Sequence, residues 1–256
     1  MKKKGITAFI RDFRGAKKNK RRRTETDPIT KRLVWKIREE RRKCCGEKVR
    51  YFLKKEHGIT LSVTTIYRIL GEKWQLRSKW KKNVKRGVVL KGTKPREALQ
   101  IDTVDLGELY AFTTIDTFTK EARVTLDTSL TAKAGERALQ RQLASFGPVE
   151  RVQRDGGPEF KRECERFLRN TVQVLRTARP YKKNEQTFIE RFNGILRKEC
   201  VGYAKYKQSD LPFLQSEINQ FLHYYHTERP HLSLGMLTPQ EFAEKYTNSS
   251  MSHFTV

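Results

Sequence analysis

Three acids in this 256-residue sequence, Asp102, Asp155 and Glu190, have the local settings that a metal-dependent phosphoryl-transfer site needs. Apolar and polar residues alternate around Asp102 as in a β-strand, so its side chain points off one face of a sheet. Asp155 ends a second predicted strand, Val149 to Arg154, just before a Gly-Gly-Pro sequence that frees the chain to turn. Glu190 falls on the polar face of a predicted helix, together with Asn193.

Carboxylates that converge at strand ends repel one another, and a hard divalent cation is the simplest means of neutralising them. Mg²⁺ suits oxygen ligands, and Mn²⁺ could substitute for it. Two such ions could activate a water or a 3′-hydroxyl on one side of a phosphate and stabilise the leaving oxygen on the other. We therefore predict that Asp102, Asp155 and Glu190 are both the metal ligands and the catalytic residues.

Other acids compete with this assignment. Asp116 ends the next predicted strand and is the alternative first ligand, whereas Asp105 lies in a predicted turn. We interpret both as supporting or structural residues. The plainest alternative is that the three acids of the predicted site are unrelated surface residues.

Four ordered motifs bear on this choice: Gln-Ile-Asp-Thr-Val, Arg-Asp-Gly-Gly-Pro-Glu-Phe, Arg-Pro-Tyr-Lys-Lys-Asn and Phe-Ile-Glu-Arg-Phe-Asn-Gly. Together they resemble the integrase catalytic core of bacterial insertion-sequence transposases, which retroviral integrases share more distantly. The 34 residues between Asp155 and Glu190 are similar to the roughly 35-residue separation in that family's two-aspartate, one-glutamate triad. A later segment, Tyr-His-Thr-Glu-Arg-Pro-His, extends the resemblance, which covers most of residues 28 to 246.

The resemblance implies a ribonuclease-H-like fold, cleavage at transposon ends, and strand transfer of the freed 3′-hydroxyl into target DNA. Two alternatives stay open. One is a catalytically silent DNA-binding remnant that represses transposition, and the other is a ribonuclease-H-like nuclease that cleaves without joining. Related transposases often begin with an additional helical DNA-binding unit, and the pattern of residues 1 to 27 does not indicate one. The chain could therefore be truncated or one product of a split element.

Charge is distributed unevenly along the chain, whose formal net charge is +26. Residues 1 to 97 carry 33 Lys and Arg against 9 Asp and Glu, whereas residues 98 to 256 carry 22 against 20. This asymmetry indicates a front half that binds a polyanion, joined to a nearly neutral domain with another task. We predict that the polyanion is double-stranded DNA, bound by a homo-oligomer.

Residues 28 to 70 have the apolar phasing of three short helices, with inward residues at Ile29, Leu33 and Ile37, then Val49, Phe52 and Leu53, then Val63, Ile66 and Leu70. The turn His57 to Thr60 and an N-cap at Ser62 predict a helix-turn-helix unit. The third helix would then present Thr64, Thr65 and Arg68 to a major groove. A generic three-helix bundle has the same pattern, and only the adjoining charge favours DNA reading.

Residues 71 to 97 are predicted to form a flexible basic linker, because glycine and proline interrupt a run of cations. Trp74 and Trp80 within it could stack on DNA bases or dock on a neighbouring domain. The predicted DNA-binding residues of the linker are Lys81, Lys82, Lys85 and Arg86, and those of the catalytic part are Asn193 and its helix neighbour Arg197.

The last part of the chain is predicted to be an α/β domain, a mixed sheet flanked by helices. Strands are expected at 99–104, 109–116, 122–128, 149–154 and 172–176, and helices at 132–146, 160–169, 187–196 and 210–226. The predicted organisation is a disordered basic tail (1–27), the helix-turn-helix domain (28–70), the linker (71–97), the catalytic core (98–246) and a tail (247–256).

Four cysteines without paired spacing argue against a disulfide framework and against zinc. His223 and His226 share one helical face and could bind a metal, although capping is the commoner role of such pairs. No apolar run reaches transmembrane length and no secretory signal is present. We expect a cytoplasmic, DNA-associated protein.

Overall fold

The computed structural model of the chain describes residues 25–76, 89–179 and 184–251, with side chains as far as residue 247. The basic tail through residue 24 and the predicted DNA-binding residues Lys81, Lys82, Lys85 and Arg86 lie outside the described residues. So does Trp80.

Three helices open the described chain: α1 (Pro28–Glu40), α2 (Gly46–His57) and α3 (Val63–Lys73). Asp27 caps α1, because its carboxylate accepts a hydrogen bond from the Thr30 amide at 3.0 Å. Ser62 caps α3 in the same way, through the Thr65 amide at 3.1 Å, as its position predicts. Between them Gly58, with φ 68°, ends α2 in the left-handed conformation.

The three helices share a core of their own. It is built from Val34, Ile37, Val49, Phe52, Leu53, Ile66, Ile69 and Leu70. Ile29, predicted to face inward, is 67% exposed, because it lies in the first turn of α1 and Val34 takes the inward position instead. Trp74 packs against this core and lies under the Arg38 guanidinium. Of the two interpretations of Trp74, docking on protein is therefore the one observed.

A five-stranded mixed sheet follows, with the strand order β3-β2-β1-β4-β5. Its strands are β1 (Ala98–Asp105), β2 (Tyr110–Asp116), β3 (Ala122–Asp127), β4 (Arg151–Arg154) and β5 (Val174–Thr177). The first three strands form an antiparallel meander, whereas β4 and β5 run parallel to β1. The predicted α/β class is confirmed, and each predicted strand boundary lies within two residues of the observed one.

Helices cover both faces of the sheet. They are α4 (Ala132–Phe146), α5 (Arg162–Thr171), α6 (Thr187–Leu196), α7 (Leu211–Thr227) and α8 (Pro239–Met251). The α4 and α5 side buries residues such as Leu99, Ile101, Phe112 and Val152. The α6 and α7 side buries residues such as Val104, Ala111, Ile115 and Val124. Alternate residues of β1 thus enter different cores, so Gln100 and Asp102 lie on the α6 side.

Two observations concern the predicted tail and linker. Residues 247 to 251, predicted to lie in a tail, continue helix α8. The linker is predicted to be flexible, yet its end is held to the sheet. The Gly92 amide donates to the Thr117 hydroxyl at 2.9 Å, and the Arg96 amide donates to the Asp116 carboxylate at 2.8 Å. These bonds anchor the chain where β1 begins.

The three-helix unit contacts the catalytic part through basic residues. Arg42 donates to the backbone carbonyl of Glu199 at 2.9 Å, and its guanidinium lies 5.7 Å from the Phe221 ring centre. Arg41 binds Glu228 at 3.0 Å. Some of the N-terminal positive charge therefore serves contacts within the chain. In the described segments, no helix is both long and apolar enough to cross a membrane.

Candidate active site

The register of β1 and β4 brings two of the predicted acids together. Gln100 lies opposite Gln153 in this parallel pair, and each glutamine is followed two residues later by an acid, Asp102 or Asp155. The two acids therefore stand at the same level of neighbouring chains. Both are half-buried. The negative charge of Asp155 helps to raise the pKa of Asp102, as expected for two carboxylates at close range.

Asp102 is the better defined of the two carboxylates. One oxygen accepts a hydrogen bond from the Thr103 amide at 2.8 Å, and the other accepts one from the Asn193 side-chain amide at 2.8 Å. Burial raises the pKa of Asp102 to about 6, although the two hydrogen bonds oppose this rise. Both oxygens are oriented, so the carboxylate is held in place before any ligand arrives.

Helix α6 carries the third predicted acid, and a buried glutamine fixes where that helix begins. The side-chain oxygen of Gln100 accepts hydrogen bonds from the amides of Phe188 and Ile189, each at 3.1 Å. Glu190 follows at once and is exposed, whereas Asn193, one turn later, is buried against Asp102. Glu190 and Asn193 share one face of the helix, so Glu190 lies on the side that faces the Asp102 strand.

Sequence patterns did not single out Gln100. The signal for it was a polar residue between two apolar ones, Leu99 and Ile101. Its side-chain nitrogen donates to the backbone carbonyl of Glu185 at 2.8 Å. One side chain therefore satisfies backbone groups on both sides of the turn that opens α6.

The residues present suit a hard divalent cation, although the triad is not closed. Among the described residues, no three His, Cys, Asp or Glu side chains come close enough to hold one ion. The donors that do meet are oxygens, which is the chemistry that Mg²⁺ and Mn²⁺ prefer. The side-chain oxygen of Asn193 is also buried without a hydrogen-bond partner, which leaves an unused acceptor beside Asp102.

The competing acids are the last residues of their strands, Asp105 of β1 and Asp116 of β2. Asp116 is fully buried, and its carboxylate accepts hydrogen bonds from the amides of Arg96 at 2.8 Å and Phe118 at 2.7 Å. Burial raises its pKa. Asp105 accepts a hydrogen bond from the Gly107 amide at 2.8 Å. Both carboxylates are occupied in shaping the turns that follow their strands.

The predicted DNA-binding residues are found in different settings. Thr64 and Arg68 are exposed on α3, and Arg68 donates to the Thr26 hydroxyl at 3.3 Å. Thr65 shares a 2.8 Å hydrogen bond with the capping hydroxyl of Ser62. Asn193 is committed to Asp102, as described. Arg197 donates to the backbone carbonyl of Asp105 at 2.7 Å.

The paired histidines are not arranged as a metal site in the described part of the chain. His226 instead accepts a hydrogen bond from the Ala122 amide at 3.0 Å. Burial lowers its pKa to about 4, with help from the charge of Arg123. His226 therefore binds the start of β3 in its neutral form.

Part of the chain is similar to a known protein family. Residues 170–239, which include Glu190, match the family described as integrase core domain. An uncharacterized 31.7 kDa protein of insertion element IS407 from Burkholderia multivorans is 28% identical over 87% of this chain and 83% of its own. An uncharacterized 39.2 kDa protein of insertion element IS476 from Xanthomonas euvesicatoria is 26% identical over 71% of this chain. The match spans just over half, 55%, of that second relative.

The fold has a counterpart among solved structures. A chain of the simian T-cell lymphotropic virus intasome, determined in complex with PP2A regulatory subunit B56 gamma, has a TM-score of 0.53 and 18% identity. The match covers 82% of this chain and 74% of that one. At this identity the likeness concerns the fold, the mixed sheet with helices on both faces. The integrase-core segment and the two insertion-element relatives support an insertion-sequence transposase with an integrase core, and the fold agrees with them.

Proposed function

We propose that this transposase binds the ends of its element in double-stranded DNA, cleaves there, and joins the freed 3′-hydroxyl to target DNA. The observation that supports this best is the register of β1 and β4, which sets Asp102 beside Asp155 while Asn193 ties α6 to the same place. We further propose that it acts as a homo-oligomer on DNA in the cytoplasm. The solved chain that shares its fold belongs to an intasome, which supports action within an assembly.

Asp102, Asp155 and Glu190 would hold the Mg²⁺ ions, with Mn²⁺ as a substitute. Such ions, when bound, polarise the phosphate and neutralise charge that builds up on its oxygens. Asn193 keeps the Asp102 carboxylate in one orientation, and Gln100 keeps α6 in register with β1. Because Gln100 holds the first turn of α6 beside β1, Glu190 would lie on the side of the sheet where Asp102 stands.

The reaction needs no covalent bond between protein and DNA. A water oxygen, or later the 3′-hydroxyl oxygen, forms a bond to phosphorus while the bond from phosphorus to the leaving oxygen breaks. The proton of the nucleophile passes to solvent, and the leaving oxygen takes one up. The chain's own task is to bring the strands to the site, chiefly with its basic N-terminal half.

One assay tests the proposal. A duplex with the element's end sequence is incubated with the full chain, target DNA and MgCl₂, and the products are separated by size. Joined product supports the proposed function. Bound but unchanged DNA would favour the silent remnant, and cleavage without joining would favour the nuclease.

Substitutions test the assignment of the acids. Asp155→Asn, Asp102→Asn and Glu190→Gln should each abolish cleavage and joining and leave DNA binding intact, because each removes a charge and little volume. Two combined substitutions should lose little more than one, since the acids act as a unit. Glu163→Gln is the matched control, an exposed acid on α5. Activity retained by Asp102→Asn and lost by a folded Asp116→Asn would transfer the first-ligand role to Asp116.

A further inference from the structure

Glu159 is a buried acid that is not part of the predicted triad and that stabilises no turn or helix end of the described residues through its carboxylate. It follows the second aspartate by four residues and is only 6% exposed. Within the described part of the chain, its carboxylate makes no hydrogen bond and no ion pair. Carboxylates of residues as buried as this one are ordinarily paired with a donor or a cation of the protein. The isolation of Glu159 therefore points to a partner of another kind.

Two glycines define where this carboxylate lies. A Cβ atom on Gly157 would overlap the nearer carboxylate oxygen of Glu159, so the side chain folds back against the backbone of that glycine. A Cβ atom on Gly135 of α4 would be 2.5 Å from the Glu159 backbone carbonyl. The close approach of α4 therefore fixes the main chain of Glu159.

Gly157 also connects Glu159 to the candidate active site. Its amide donates to the Asp155 carboxylate at 2.9 Å, so the carboxylates of Asp155 and Glu159 lie on either side of one residue. Glu159 is also close enough to Asp102 for its negative charge to raise the pKa of that acid. Asp102, Asp155 and Glu159 therefore lie near one another where β4 ends, and of these three only Glu159 lacks a hydrogen bond within the described residues.

We propose that Glu159 is a fourth acid of the transposase site, a positioning residue that strengthens divalent-cation binding through the cation's water shell. This inference rests on the proposed function, because it assumes that Asp102 and Asp155 bind the cation. Glu159 acts indirectly, since in the described residues it does not form with them a three-acid group able to hold one ion. Acids that support a ligand set from outside in this way typically contribute a factor of about 10 to 100 in metal affinity.

The experiment measures Mn²⁺ binding by the full chain without DNA, using the electron paramagnetic resonance signal of free Mn²⁺. Glu159→Gln keeps the shape of the side chain and removes its charge. We expect its Kd for Mn²⁺ to rise by about 10-fold or more. Its unfolding midpoint in EDTA should stay unchanged or rise, because the carboxylate makes no hydrogen bond or ion pair within the described residues that the substitution would remove. Glu163→Gln, an exposed acid nearby, should leave both quantities unchanged.

Each outcome decides the inference. Wild-type Mn²⁺ affinity in folded Glu159→Gln would overturn it, and so would a lowered unfolding midpoint in EDTA with unchanged affinity. If Glu159→Gln does not fold, Glu159→Asp decides. That variant keeps the charge but withdraws it by one methylene, so weakened Mn²⁺ binding supports the inference and unchanged binding overturns it. Asp155→Asn tests the proposed function separately. If this variant still binds Mn²⁺ as tightly as the wild type, the ion does not bind at the proposed active site.

Discussion

Arg229 and Glu199 form an ion pair with two hydrogen bonds, 2.7 Å and 2.8 Å long, with only 7% and 4% of their side chains exposed. Arg229 comes from the Tyr-His-Thr-Glu-Arg-Pro-His segment, and Glu199 from the π-helical turn Arg197–Val201 after α6. The Glu199 backbone carbonyl also accepts the Arg42 hydrogen bond from the three-helix unit. The turn that carries Glu199 therefore connects the end of α6 both to the Arg229 segment and to the N-terminal helices.

Removal of Arg229 should destabilise the protein strongly. Arg229→Ala leaves the Glu199 carboxylate buried without this partner, so we expect the free energy of unfolding to fall by about 3–5 kcal/mol. Urea denaturation followed by circular dichroism measures the change. Arg137→Ala is the matched control, because its ion pair with Asp127 involves an arginine that is 52% exposed and should contribute under about 1 kcal/mol. Equal losses would show that burial of the Arg229 pair is unimportant.

Two helical glycines should respond to alanine with opposite signs. A Cβ atom at Gly135 would meet the Glu159 backbone carbonyl at 2.5 Å, so Gly135→Ala should lower the free energy of unfolding by about 1–3 kcal/mol. In α3, a Cβ on Gly71 would meet no atom of the described residues within 4 Å, apart from its chain neighbours and the backbone of its own helix. Gly71→Ala should therefore raise the free energy of unfolding by about 0.5–1 kcal/mol. Thermal unfolding of both variants gives the comparison. A stabilised Gly135→Ala would mean that α4 does not approach Glu159 so closely.

Stability should fall as the pH falls from about 6.5 to about 4, in part because of His226. The pKa of His226 is lowered to about 4 in the folded chain, whereas an unfolded histidine takes up its proton near 6.5. The unfolded state therefore binds more protons in this window, and His226 contributes a loss of about 3 kcal/mol across it. Urea titrations at several pH values, for the wild type and His226→Gln, measure the effect.

The relevant quantity is the difference in free energy of unfolding between the wild type and His226→Gln, measured as a function of pH. It should shrink from pH 6.5 to pH 4, because only the wild type has this group to protonate. His231 is a second buried histidine whose pKa is lowered by burial and by Arg229, so His226→Gln should keep some acid sensitivity. A difference that is constant across the window would contradict a neutral His226.

Arg68 and Lys82 should differ in what they contribute to DNA binding. Arg68 is exposed on α3, so Arg68→Ala should reduce the preference for the end sequence over random DNA by about 1–3 kcal/mol. Lys82→Ala should weaken binding to both duplexes alike and reduce the log–log salt slope by about 0.9. Fluorescence anisotropy with both duplexes over a range of NaCl concentrations separates the two effects. Equal losses for both variants would count against Arg68 as a base reader.

Much of the fold followed from local pattern. The strands and helices of the sheet up to α7 were predicted to within two residues, because apolar periodicity and turn residues there agree with the tertiary structure. Asp102 was predicted within a strand and Asp155 at the end of another. The register of these two strands explains why the two acids are neighbours. Ile29 was wrongly predicted to be buried. Apolar periodicity shows which face of a helix is buried but not how far along the helix its packing partner extends.

The missed residues, Gln100 and Glu159, are buried polar side chains whose surroundings come from distant parts of the chain. Gln100 binds the start of α6, almost 90 positions later in sequence, and Glu159 is confined by Gly135 of α4. No local pattern records such contacts. The same is true of Arg42, one of the cations of the basic N-terminal half, whose guanidinium lies against Phe221.

The pairing of Gln100 with Gln153 also determines where the chain can change length. Successive residues of a strand point to opposite faces, so one residue inserted or deleted between Gln153 and Asp155 would turn the acid away from Asp102. The loops on either side of α4 are not subject to this parity, because length changes there are absorbed before β4 begins. A library of single-codon insertions should therefore give survivors in those loops and none between Gln153 and Asp155.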